Sequence, residues 1–125
     1  TLYAADEENI SLDIINLETR RIIKRIPVGL GPVHVSISPD GLYLFVSNIG
    51  SFSITVIDLK VKEAVANIPV TTFPWASVIS PDGKRLYVCN WAEGQVSLID
   101  TKTYREIWRV PDITTPMNIV IYNSP

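Results

Sequence analysis

The sequence is short of most residues that covalent and metal chemistry need. It has one cysteine, Cys89, one histidine, His34, and one methionine, Met117, in 125 residues. A lone cysteine excludes an internal disulfide and a cysteine metal cluster, so Cys89 is expected as a small buried residue within a strand. A lone histidine with no cysteine or second histidine beside it supplies too few ligands for a zinc or copper site. No nucleophile elbow, glycine-rich phosphate loop or metal-spaced motif occurs. No apolar run approaches the roughly 20 residues of a membrane-spanning helix, and no basic-then-apolar leader opens the chain. It begins at Thr1-Leu2, already inside a repeat and without an initiator Met, and so reads as a processed or excised piece. Charge is close to balanced: 11 Lys and Arg against 13 Asp and Glu give −2, with no overall pull toward nucleic acid or anionic membrane. Helical periodicity is missing too, with no window sustaining it over three or four turns.

What remains is repetition. The chain is 46% hydrophobic and 19% charged, enough to bury a core. Ser38-Pro39-Asp40-Gly41 recurs at Ser80-Pro81-Asp82-Gly83, and the same 42-residue offset aligns nearly the whole chain without a gap. Leu2, Leu44 and Leu86 fall in register, as do Ile15, Ile57 and Ile99, and Pro32, Pro74 and Pro116. A period of this size means one supersecondary unit copied in tandem, each copy burying its apolar face on the next. The expected organisation is three repeats, at 2–43, 44–85 and 86–125.

One repeat reads as four short antiparallel strands. In the unit from Pro74 to Asp112, a strand at Trp75–Ile79 meets the Ser-Pro-Asp-Gly turn, where Pro presets φ, Asp bonds backbone amides and Gly takes positive φ. Leu86–Asn90, Gln95–Ile99 and Arg105–Val110 follow as β-rich runs. Asp100 is placed to cap the last turn, as is Asp58 in the preceding copy, and its loss is expected to lower stability, not activity. The Glu-Thr-Arg-Arg run after Asn16 invites a helix, but its register with Asp58–Ile68 requires a turn and a strand. The first strand of each unit is apolar on both sides, as in Val33, Val35 and Ile37. It is therefore the inner, crowded strand. The fourth keeps polar positions such as Lys24-Arg25 and lies outside. Radially packed four-stranded sheets of this kind are propeller blades. The expected fold is an all-β propeller of four-stranded antiparallel blades.

The residues also carry a resemblance. Phe45-Val46-Ser47-Asn48 and Tyr87-Val88-Cys89-Asn90 resemble the Tyr-Val-Thr-Asn signature of the YVTN-type β-propeller repeats. The Ser-Pro-Asp-Gly turns, the Val-Ile-Asp and Leu-Ile-Asp runs and the Ile-Pro-Val spacer fit the same pattern. The likeness spans nearly the entire chain. The first copy departs from it, with Tyr3-Ala4-Ala5-Asp6 in place of the signature and Asn16 in place of the Asp. The resemblance implies an extracytoplasmic setting, periplasmic or cell-surface. Members of the family serve in surface-layer proteins and as scaffolds of periplasmic redox enzymes, and shared fold alone does not choose between those roles.

Three blades do not close a ring that needs four to eight. The chain starts on a second strand, Leu2–Asp6, and is expected to end on a first strand, Met117–Tyr122. Additional blades of a longer chain, or a second copy pairing 118–122 beside Leu2–Asp6, would complete it. The loop before each inner strand and the loop between second and third strands share one end, the mouth. It carries the candidate binding residues His34, Phe73, Trp75, Trp91, Glu93, Glu7 and Glu8. Aromatic side chains there suit a ligand or partner patch, although Trp75 and Phe73 also suit packing between blades. The opposite end, the base, carries Arg20, Arg21, Lys60, Lys62, Lys84, Arg85, Lys102 and Arg105 interleaved with Asp. It lacks stacking aromatics apart from Tyr104, so nucleic-acid binding is not expected. No catalytic residue, metal or cofactor is assigned. The leading expectation is a non-enzymatic binding module for a protein or other macromolecule. The alternative is a segment of an extracytoplasmic redox or lactone-hydrolysing propeller with its active site at the channel mouth.

Overall fold

The computed structural model describes residues 1–122, and within them every regular element is a strand. The first sheet holds β1 (Leu2–Asp6), β2 (Ser11–Asn16) and β3 (Arg21–Pro27) in that order. The second holds β4 (Pro32–Ile37), β5 (Tyr43–Asn48), β6 (Ser53–Asp58) and β7 (Glu63–Pro69), and the third holds β8 (Pro74–Ile79), β9 (Arg85–Asn90), β10 (Gln95–Asp100) and β11 (Glu106–Val110). All pairings are antiparallel between neighbours in sequence. This is the expected blade architecture. The Glu-Thr-Arg-Arg run is a turn leading into β3.

The turns repeat in conformation as well as in sequence. Positive φ recurs at the 42-residue offset: Ile10, Phe52 and Gly94; Gly31, Phe73 and Thr115; Arg20, Lys62 and Tyr104. Non-glycine residues rarely adopt this region, so the backbone path, not local preference, is what is being copied. At the base, the Asn16, Asp58 and Asp100 side chains each accept two backbone amides in the turn that follows, at 2.8–3.3 Å. Within the Ser-Pro-Asp-Gly turns, the Ser38 and Ser80 hydroxyls donate to Asp40 and Asp82. These bonds hold both carboxyls below the usual carboxylate range.

The core lies between sheets. Leu12, Ile14, Ile26, Leu44, Val46 and Ile57 fill the space between the first and second. Phe45, Ile54, Val56, Ile68, Leu86, Val88 and Ile99 fill that between the second and third. Alternation does this: on β5, Leu44 and Val46 face one neighbour and Phe45 the other. Cys89 is buried within β9, as expected.

Two expectations need correction. The inner strands β4 and β8 pack on one another, and β8 is as crowded as expected, but β4 is less buried than the middle strands of its own sheet, and Ile37 is exposed. The first sheet has no strand inside β1 among the described residues, so Val35 and Ile37 look into an open cleft beside Leu2 and Tyr3. Second, Met117–Tyr122 forms no strand. An inner strand takes its hydrogen bonds from the second strand of its own sheet, as β4 does from β5, and the described residues contain no such strand beyond 117. Instead the segment lies against the third sheet. Ile119 packs on the Ala76–Cys89–Val96 cluster, and the Asn118 carbonyl is 3.7 Å from the Cys89 sulfur.

Candidate functional site

Backbone hydrogen bonds define the mouth. Val28 N–H donates to Ile10, Ile49 to Gly31, Val70 to Phe52, Trp91 to Phe73 and Ile113 to Gly94. Loops of the same sheet and of adjacent sheets are thereby tied together at one end. The six mouth loops, residues 6–11, 28–32, 48–53, 70–74, 90–95 and 111–116, contain no Lys or Arg, but contain Asp6, Glu7, Glu8, Glu93 and Asp112. The base turns carry all eight of the cations named above. The mouth loops are thus acidic alone, whereas the base mixes its cations with Glu18, Asp40, Asp58, Glu63, Asp82 and Asp100.

The mouth also carries a continuous aromatic ridge. Phe52 meets Phe73 edge-to-face with ring centres 5.2 Å apart. Phe73 meets Trp91 at 6.2 Å and 87°, and Trp91 meets Trp75 at 6.2 Å and 42°. The two near-perpendicular contacts are attractive because the positive edge of one ring meets the negative face of the next. Phe52, Phe73 and Trp91 remain 42%, 37% and 39% exposed. Trp75 is half-buried against the outer face of the third sheet. Phe52 and Phe73 both hold positive φ, a strained backbone for a bulky residue.

Glu93 lies at the end of this ridge. Its carboxylate accepts a hydrogen bond from the Thr71 hydroxyl at 3.0 Å, and Arg109 approaches it at 3.9 Å. Arg109 itself is committed to Glu106, to which it donates through two nitrogens. Glu93 and Asp112 line one shallow cleft with Gln95 and Pro111.

The expected site residues therefore divide. Phe73, Trp75, Trp91 and Glu93 come together. Glu7 and Glu8 are exposed on the β1–β2 loop, on the same end but outside the ridge. His34 lies on inner strand β4, half-buried, and joins a different feature. Its Nδ1 accepts the Ser77 N–H at 3.3 Å, and the Ser36 and Ser77 hydroxyls meet at 2.9 Å beside it. The pair stitches the inner strands of the second and third sheets together. Burial pushes the imidazole pKa below its ordinary value. Phe52 was not among the sequence candidates, although an aromatic in the tight Gly50-Ser51-Phe52 return is more apolar than a turn requires.

A family model described as "Cytochrome D1 heme domain" matches residues 3–119. No curated protein matches the chain. Among solved structures, hydrazine synthase from Kuenenia stuttgartiensis is similar at 25% identity and TM-score 0.86, covering 92% of this chain and 34% of that one. Dihydro-heme d1 dehydrogenase NirN in complex with DHE is similar at 20% identity and TM-score 0.76, covering 88% and 24%. Apo AztD from Citrobacter koseri is similar at 14% identity and TM-score 0.73, covering 86% and 31%. The last two likenesses speak to fold alone. This chain spans between a quarter and about a third of the length of these structures.

The family description raises the question of a heme, and these residues do not fit one. A ligating histidine donates its second ring N–H to an acceptor, which frees the other nitrogen for the metal. His34 does the reverse: Nδ1 accepts from Ser77, so the neutral ring carries its proton on Nε2. The acidic substituents of a tetrapyrrole also call for cations, and the mouth loops have none.

Proposed function

The chain belongs to the cytochrome D1 heme domain family, and from that premise we propose that it is a run of three propeller repeats, at 2–43, 44–85 and 86–125, serving as a binding module. Its mouth takes up a protein or other macromolecule. Further blades, from the same chain or a second copy, complete the ring. The observation that carries this reading is the exposed Phe52–Phe73–Trp91 ridge, backed by half-buried Trp75 and flanked by Glu93. A stretch of rigid aromatics on loops is costly to leave in water and is a common composition for a recognition surface. The motif likeness to YVTN-type repeats supports an extracytoplasmic setting for it.

A second reading has one observation in its favour, the family match itself. In it, the three blades are part of an extracytoplasmic propeller enzyme whose cofactor ligands lie elsewhere in the ring.

The test uses a photo-crosslinking residue placed in the full-length protein at position 91 and, separately, at position 107 on outer strand β11. Adducts from 91 and not from 107 are expected. Adducts only from 107 overturn the mouth reading. A visible heme spectrum with steady redox turnover in the purified protein replaces it with the second.

A further inference from the structure

The occupant of the mouth can be narrowed by charge. Resting on the binding reading above, we propose that the ridge docks a cationic segment of a partner protein, one bearing Arg or Lys side chains in succession. Three features converge on this. The first is the complete absence of Lys and Arg from six mouth loops that hold five carboxylates. The second is the ridge, whose edge-to-face contacts turn some ring faces toward neighbours and leave Phe52, Phe73 and Trp91 partly open to solvent. A guanidinium or ammonium over such a face is attracted by its quadrupole, and most strongly over Trp. The third is Glu93, two residues from Trp91. Its one cationic neighbour, Arg109, stands 3.9 Å off and is held by Glu106 instead. Thr71 gives it one neutral hydrogen bond, leaving acceptor capacity for an incoming donor. Asp112 lines the same cleft.

The ring centres at 5.2–6.2 Å are already in contact, so the ridge cannot enclose a small cation between rings. It offers a surface, which suits an extended segment laid across it. Anionic partners are disfavoured by the same carboxylates.

The experiment titrates the full-length protein, in a Trp108→Phe background, with octa-arginine, octa-glutamate and spermine. It reads tryptophan emission together with hydrogen exchange at 70–74 and 90–95. Octa-arginine is expected to perturb the emission and protect both loops, more weakly as salt rises. Trp91→Ala is expected to weaken binding about fivefold, with Trp91→Phe recovering most of it, since a cation over an exposed ring contributes on the order of one factor of five. Glu93→Gln is expected to weaken binding several-fold and flatten the salt dependence. Binding unchanged in Trp91→Ala and Glu93→Gln overturns the proposal, and so does equal binding of octa-glutamate. Spermine binding as tightly as the peptide overturns a protein segment as the occupant. If no cation binds but the crosslinks from position 91 persist, the charge inference fails and the mouth reading stands.

Discussion

Gly94 and Gly41 share a left-handed backbone, at φ +61° and +72°, but differ in surroundings. A Cβ at Gly41 would meet nothing within 4 Å, whereas one at Gly94 would stand 2.7 Å from the Ile113 carbonyl oxygen. The reason lies in the repeat. In the first two copies the residue that donates its N–H to the left-handed position is Val28 or Val70, in strict register. In the third copy it is Ile113, one residue later, with Asp112 at φ +61° taking up the slack. The shifted segment after β11 closes over position 94, and Ile10 and Phe52 keep side chains where Gly94 cannot. Gly41→Ala should therefore pay the left-handed penalty alone, about 1 kcal/mol. Gly94→Ala adds a backbone clash of the overpacking kind, for a total of about 2–4 kcal/mol. Urea unfolding of both variants, compared at constant slope, measures the difference directly. Equal losses would refute the reasoning, because they would mean the Ile113 contact yields at no cost. A larger loss at Gly41 would reverse it.

Two further perturbations test the packing and the inner seam. Phe45→Ala, in the core between the second and third sheets, should cost about 3–5 kcal/mol in equilibrium unfolding; a loss under about 1 kcal/mol would mean the sheets do not stack through this residue. His34 has a lowered pKa in the folded state, so its neutral form stabilises the fold. That contribution is complete above the ordinary value near 6.5 and is lost as pH falls through the lower folded value. Unfolding measured from about pH 7 to pH 5 should show a decline that His34→Gln flattens; an identical decline in the variant would remove His34 as its cause.

Much of the fold was legible because a propeller blade leaves a local record. Short strands, tight turns and a constant period are all set by neighbours in sequence, so Ser38–Gly41 and Ser80–Gly83 could be read without tertiary information. What was not legible depends on distance in space. Phe52 joins the ridge only because the β5–β6 and β7–β8 loops meet across two sheets. The Met117–Tyr122 segment has an inner-strand composition, yet composition cannot provide the partner strand that makes a ladder. The modest burial of β4 likewise follows from the missing fourth strand of the first sheet, not from Val35 or Ile37 themselves. Among the site candidates, Trp91 and Glu93 were found by their loop position. His34 was found by rarity, and its Nδ1 acceptor role belongs to a backbone amide 43 residues away.

The polarity of the ends is the feature the fold does not require. At the base, acids have structural work: Asp40, Asp58, Asp82 and Asp100 accept turn amides, and Asn16 does so in the first copy. The base is nonetheless the cationic end. At the mouth, Asp6 closes its own loop by accepting two bonds from Asn9. The Glu7 and Glu8 carboxylates make no hydrogen bond or salt bridge among the described residues, and both are exposed. Glu93 is held by one threonine hydroxyl and a distant arginine. Removing those three carboxylates would cost the blades little, because such solvated charges contribute little to stability. Stacking occupies the strand faces and capping occupies the base turns. The mouth alone keeps carboxylates that no turn uses, and these are the groups the proposed cationic segment would meet.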